Sequence, residues 1–249
     1  MARYHILKEK VSQEEELSHS LMFDKKLRIA FVLAGLLLIS GGKPLYASPP
    51  EQFKTPVEKP ADIDNARGIE YSKSKEGRQA FRKTTEDAKR FCQKYLKENP
   101  GVKNLAIVSD IDETILDNRG LFKRVDKFSW PVFIEWVKEA EAPSLKPTAD
   151  FLKWARKNGF SIFLITGRPE KLRSYTIQNL VRNGIAYDGL YMRPEINNGS
   201  AIAIKTKTRK EIEDMGFKIV VNIGDQVSDL VGGHALDCEK LPNKMYFVK

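Results

Sequence analysis

Leu105-Ala106-Ile107-Val108-Ser109-Asp110-Ile111-Asp112-Glu113-Thr114 is the stretch that decides how the chain is read. Its four consecutive apolar residues do not alternate with polar ones. That pattern predicts a strand buried on both faces, as in a parallel sheet. Carboxylates follow at once. Ligands of open α/β sheets bind at the carboxyl ends of strands, so the residues behind each apolar run are candidate site residues. The run recurs as Ser161-Ile162-Phe163-Leu164-Ile165, followed by Thr166-Gly167-Arg168. It recurs again as Lys218-Ile219-Val220-Val221-Asn222-Ile223, followed by Gly224-Asp225-Gln226-Val227-Ser228-Asp229. Shorter candidate strands are Leu190-Tyr191-Met192 and Met245-Tyr246-Phe247-Val248. Helical periods lie around and between them, at 76–98, 147–158, 169–183 and 207–215. The second and third open on proline, and the last three stop before glycine. Strand–helix alternation with short loops predicts an α/β fold with a Rossmann-like three-layer parallel sheet.

The remainder of the chain narrows the function. Its 249 residues are 41% hydrophobic and 30% charged, which excludes a disordered or collagen-like chain and a polytopic membrane protein. Two cysteines exclude a disulfide-dense scaffold, and three histidines leave little for a His-based metal site. Cys92 and Cys238 can form one bridge in an oxidising compartment or stay as inert thiols. The net charge is +9, but basic residues alternate with acidic ones along predicted helices. Solvated helix faces look like this, so no nucleic-acid partner is expected; the charge can still steer anionic substrates.

The N-terminus reads as a targeting segment. Eleven apolar residues at 29–39 follow Lys25, Lys26 and Arg28. They make about 16 Å of helix, too short to span a bilayer. A basic flank, a short apolar run and Ala47 ahead of Ser48 describe a secretory signal peptide. Met22 gives that signal an ordinary length and is the expected start. The expected organisation is an N-terminal extension and signal over 1–47, a proline-rich linker and arm over 48–75, and a folded domain over 76–249. Export, to a periplasm or to the outside, is expected, with no membrane span left after cleavage. No cysteine sits just after the apolar run, so lipid attachment is not expected.

The strand ends hold what phosphate-ester hydrolysis requires: a nucleophile, a proton donor for the leaving alkoxide, and cations against phosphate charge. Asp110 and Asp112 are two apart and can face one cleft, one attacking and the other serving as acid and then base. Asp225 can complete an oxygen-ligand set for Mg²⁺. Thr166 and the Gly167 amide can hold phosphate oxygens, and Lys205 can supply a point charge. Each motif alone has a plainer reading, as a helix cap or a solvated loop. In this order they form a set: DIDET, TGR, Lys, GDxxxD.

That set resembles the haloacid dehalogenase (HAD) superfamily. DIDETILDN, FLITGRPE, IKTKTR and NIGDQVSDL are similar to its subfamily III acid phosphatases, which include plant-type and bacterial class B and C enzymes. The resemblance covers roughly residue 78 to the C-terminus, and it implies an Mg²⁺-dependent acid phosphatase acting on small phosphate monoesters, nucleotides among them. Asp110 would be the nucleophile that forms an aspartyl-phosphate. Asp112 would be general acid and base, lending its backbone carbonyl to Mg²⁺. Thr166, Gly167 and Lys205 would bind phosphate, Asp110, Asp112 and Asp225 would ligate the metal, and Asp229 would orient Lys205 or a metal-bound water. Arg119-Gly120-Leu121-Phe122 departs from the Ser-Pro-Tyr of many class C members. The insert at about 117–146, with a helix over 129–140, is expected to form a small helical cap. Phe122, Phe128 and Trp130 can stack on a leaving group or pack the cap onto the core. Arg168 can reach substrate or pair with a carboxylate. A dehalogenase would need neither Asp112 nor Asp225. A storage protein on the same fold and a phosphotransferase are the alternatives.

Overall fold

A computed structural model describes residue 57 and residues 63–125, 128–196 and 199–248. The apolar run at 29–39, Met22 and all but one residue of the proline-rich 48–60 stretch lie outside the described residues.

Five parallel strands form one sheet in the order β3-β2-β1-β4-β5. They are β1 (Leu105–Ser109), β2 (Ser161–Pro169), β3 (Gly189–Arg193), β4 (Lys218–Gly224) and β5 (Asp237–Lys240). Every residue of β1 is buried, as are all but the first of β4, which is why these strands read as unbroken apolar runs. Leu105 and Ile107 join one hydrophobic cluster, and Ala106 and Val108 another. This alternation makes a three-layer domain. The first cluster takes Ala88 and Cys92 from α2 (Lys75–Glu98) and Phe151 and Leu152 from α5 (Lys146–Lys157). The second takes Ile212 from α7 (Ala201–Asp214).

Several boundaries differ from the sequence expectation, each for a local reason. Part of the expected arm is helical: α1 (Asn65–Lys73) starts on Asp64, whose carboxylate accepts from Arg67 N–H at 2.8 Å. Ser74 then separates α1 from α2 and caps the latter, accepting from Gly77 N–H at 3.0 Å. A Cβ on Gly77 would lie 2.1 Å from the Tyr71 carbonyl, so the corner requires glycine. The insert holds α3 (Arg119–Phe122) and α4 (Trp130–Glu139). Pro169 ends β2 instead of opening a helix; a 3-10 turn over Glu170–Leu172 leads into α6 (Arg173–Arg182). Proline is tolerated at this strand end because the β2–β3 register shifts between Ile165 and Pro169, an irregularity of the kind where sheets accept proline. α7 begins at Ala201, not 207, because Ser200 caps it by accepting from Ala203 N–H at 3.2 Å, a cap worth about 1 kcal/mol. Met245-Tyr246-Phe247-Val248 is not a strand. Met245 and Val248 donate their N–H groups to the Asn243 and Gln226 side chains instead of to a ladder. The fifth strand is the charged β5, which carries no apolar run. Cys92 and Cys238 are both free thiols, and burial pushes each up to about 12.

Candidate active site

Between β1 and β4 the strand order reverses direction, and the site lies at their carboxyl ends. The Asp110 N–H donates to Ile223 O of β4 at 3.0 Å, fixing the residue one step past β1. The chain then winds tightly around Ile111, whose carbonyl accepts from Thr114, Ile115 and Leu116. Glu113 sits in this turn at φ 53°, a left-handed conformation that costs about 1–2 kcal/mol for a residue with a Cβ. Behind β4, a Cβ on Gly224 would lie 2.4 Å from an Asp229 carboxylate oxygen. Glycine in GDxxxD therefore lets Asp229 turn inward, and α8 (Val227–Leu230) fixes it there by its capping box with Gln226.

The sequence-derived residues converge. Lys205, the fifth residue of α7, donates to Asp110 Oδ1 at 2.6 Å and to Asp229 Oδ1 at 2.5 Å. The Asp110, Lys205 and Asp229 side chains are each less than 10% exposed. Burial pushes Asp110 well above the usual carboxylate range; Lys205 opposes this, and Asp229, Asp225 and Asp112 add to it. Burial pulls Lys205 down, but Asp110 and Asp229 together outweigh it and hold it above its ordinary value. Asp225 accepts from Thr114 Oγ1 at 3.1 Å, Gln226 Nε2 at 2.6 Å and Asn243 Nδ2 at 2.7 Å. All three donors are neutral, and burial pushes Asp225 up to about 6.

Asp110, Asp225 and Asp229 each offer an oxygen within 4.8 Å of the others. This is the metal-compatible cluster among the described residues. Its all-oxygen, buried donor set suits a hard cation such as Mg²⁺. The Asp112 carboxylate stands outside it and faces Arg168, whose Nε and Nη2 lie 3.0 and 2.7 Å from its Oδ1. Asn118 Nδ2 also donates to Asp112, at 2.9 Å. Arg168 therefore pairs with a carboxylate, with its side chain wholly buried. Thr166 Oγ1 lies 3.4 Å from Asp112 and accepts from the Arg168 N–H at 3.1 Å. Gly167 is exposed at the cavity wall.

Glu113, Asn118 and Tyr246 have no role assigned from the sequence, nor do the Asp225 donors Thr114, Gln226 and Asn243. Glu113 is buried; it accepts from the Tyr246 hydroxyl at 2.6 Å and the Asn118 N–H at 2.9 Å. Burial pushes it well above the usual range, helped by Asp112 and Asp225. Asn118 links Glu113 and Asp112 to the cap by accepting from Trp136 Nε1 at 2.8 Å. Glu113 stands in the quoted DIDET, so that signal was available; Tyr246 is 133 positions away and gave none.

A cavity of about 310 Å³ opens above these groups, lined by Asp110, Lys205, Asp225 and Asp229 below and by Phe128, Trp130 and Phe133 of the insert above. The model of the HAD superfamily, subfamily IIIB (acid phosphatase), matches residues 55–249. The chain belongs to this family. Acid phosphatase 1 of Solanum lycopersicum is 35% identical over 148 residues, 57% of this chain and 58% of that protein. The stem 28 kDa glycoprotein of Glycine max is 32% identical over 151 residues, 57% and 59% of the two chains. The matched segment thus spans less than two thirds of these relatives. The class C acid phosphatase of Bacillus anthracis shares the fold, with a TM-score of 0.62, 22% identity and coverage of 73% of this chain and 84% of that one. The parallel α/β sheet is thus the HAD fold of subfamily IIIB.

Proposed function

We propose that the chain is an exported, Mg²⁺-dependent acid phosphatase that hydrolyses small phosphate monoesters. The observation that carries this reading is Asp110, buried at the β1 carboxyl end, 2.6 Å from Lys205 and beneath an open cavity. An Asp110 oxygen attacks phosphorus as the bond to the ester oxygen breaks, and Asp112 gives that oxygen a proton. Asp112 then takes a proton from water, which attacks the aspartyl-phosphate and releases inorganic phosphate. Arg168 and Asn118 keep the Asp112 carboxylate aimed across the cavity. Lys205 and Thr166 offset phosphoryl charge. Asp110 and Asp225, with the Asp112 backbone carbonyl, would hold Mg²⁺, which supplies charge neutralisation for a dianionic substrate facing a carboxylate. Phe128 and Trp130 are 44% and 49% exposed at the cavity mouth, which suits an aryl or nucleoside leaving group.

Hydrolysis of p-nitrophenyl phosphate at mildly acidic pH tests the reading, with Mg²⁺, with excess EDTA, and with Asp110→Asn. Activity lost to both chelator and substitution supports it. Full activity in Asp110→Asn overturns it. Among the described residues no helix is long and apolar enough to cross a membrane. Export rests on the 29–39 run and its basic flank. N-terminal sequencing of protein recovered outside the cytoplasm should begin at Ser48, and a full-length product confined to the cytoplasm would refute export.

A further inference from the structure

We propose that the domain carries a second ligand site, a cavity of about 390 Å³ at the α1–α2 corner and the start of α5, which binds a small organic anion with an apolar body. It lies behind the catalytic cavity, and Glu113 lines both.

Its charge is one-sided. Lys73, Arg78, Arg82, Arg119 and Lys146 line it, against Glu113 and Asp117. Arg119 already grips Asp117, its Nε donating at 2.7 Å, and the two cancel. Among the described residues, Arg78 donates to the Lys73 carbonyl and has no ion-pair partner. Among the described residues, Lys73, Arg82 and Lys146 have no ion-pair partner. Uncompensated cations around a concave wall concentrate anions.

The backbone adds to this field at the start of α5. Its first turn lines the cavity through Lys146, and this 12-residue helix presents a positive N-terminal end there. At the other wall the last turn of α1, through Tyr71, Ser72 and Lys73, meets the first turn of α2 at Gly77, and the two helix ends offset each other. Leu145, the N-cap of α5, offers no side-chain acceptor to the N–H groups of that turn. An anion seated there would take hydrogen bonds that the chain itself leaves unmade.

The remaining wall is apolar. Phe81, Pro147, Pro242 and Met245 contribute it, and an inorganic anion would leave it unused. The ligand class that uses both parts is a carboxylate, sulfonate or phosphate ester on an aromatic or branched aliphatic body.

The test is a fluorescence titration of the full chain with anilinonaphthalene sulfonate, a non-hydrolysable aromatic anion. Trp130→Ala, which removes a ring that lines the catalytic cavity alone, reports any binding there. One saturable phase that Trp130→Ala leaves unchanged is expected. R82E/K146E should weaken it about ten-fold or more, as loss of charge-assisted contacts predicts. The milder R82Q/K146Q should weaken it less, and circular dichroism should match the parent chain for both. K94E/K97E, the same charge change near the far end of α2, should leave it unchanged. The proposal falls if every phase is weakened by Trp130→Ala, if R82E/K146E binds like the parent, or if K94E/K97E loses as much. The inference does not rest on the phosphatase reading: Asp110→Asn should leave this phase intact whatever it does to hydrolysis.

Discussion

The floor and roof of the catalytic cavity are built on different physics. On the floor, Asp110, Asp225, Asp229 and Lys205 are buried, and each has its polar atoms held at named distances. In the roof, Phe128, Trp130 and Phe133 meet one another through tilted and edge-on rings 5.4–5.8 Å apart, and two of the three are nearly half exposed. Buried charge is intolerant, because a lost partner leaves a desolvated ion. Apolar contact is non-directional and adapts to small changes. The floor therefore suits a fixed reaction, and the roof is where substrate preference can vary.

Removing Asp110, the proposed nucleophile, should produce the largest effect. Asp110→Asn should lower kcat for p-nitrophenyl phosphate by at least about 10³-fold, while circular dichroism and melting show a folded protein. Substantial turnover would detach the floor from the chemistry.

Stability should separate the two regions next. Lys205→Met leaves Asp110 and Asp229 buried without their shared cation and should cost about 3–5 kcal/mol in urea unfolding. Trp130→Ala should cost about 1 kcal/mol, since the ring is already half in water. Equal losses would mean that the roof is as rigidly specified as the floor.

Metal should act on the floor alone and depend on pH. Burial holds the folded Asp225 at about 6 against an ordinary 3.8. In the metal-free protein, its stabilising effect is fully present below the ordinary value and lost as pH rises through about 6. Mg²⁺ requires the charged carboxylate, so its affinity should climb over the same window and level off above it. Calorimetric titration between pH 4 and 7, beside melting curves with and without Mg²⁺, checks both trends. A flat affinity would remove Asp225 from the ligand set.

The smallest effect belongs to the roof's selectivity. Phe128→Ala should raise KM for an aryl phosphate about three- to ten-fold, the value of one aromatic contact, and leave glycerol phosphate kinetics unchanged. Equal losses on both substrates would assign the roof to packing instead of recognition.

Legibility in the sequence followed the same division. The central strands were readable because β1 and β4 are covered on both faces and are apolar without interruption. β5 was not, since Asp237, Glu239 and Lys240 interrupt any run. α7 starts at Ala201, ahead of the 207 that its pattern predicts. The Ser200 cap precedes a stretch whose buried positions are Lys205, Thr208, Arg209 and Ile212, so the buried face is mostly polar and the apolar period is faint. Asp110, Asp112, Thr166, Asp225 and Asp229 are legible because each lies at or near a strand end, whereas Lys205, inside α7, is legible only from its place in the ordered motif set.

The sequence by itself determined the parallel sheet, the order of the motifs and the reaction chemistry they can support. Those properties reside in short stretches whose residue types and periods are set by local backbone geometry. Only the tertiary structure decided that Arg168 turns to Asp112, that Tyr246 crosses 133 positions to reach Glu113, and that Trp136 secures Asn118 from the cap. It also placed a basic cavity behind the catalytic one. These outcomes follow from which buried polar atoms find partners once the layers close. That choice depends on distances between segments far apart in the chain, which no local pattern encodes.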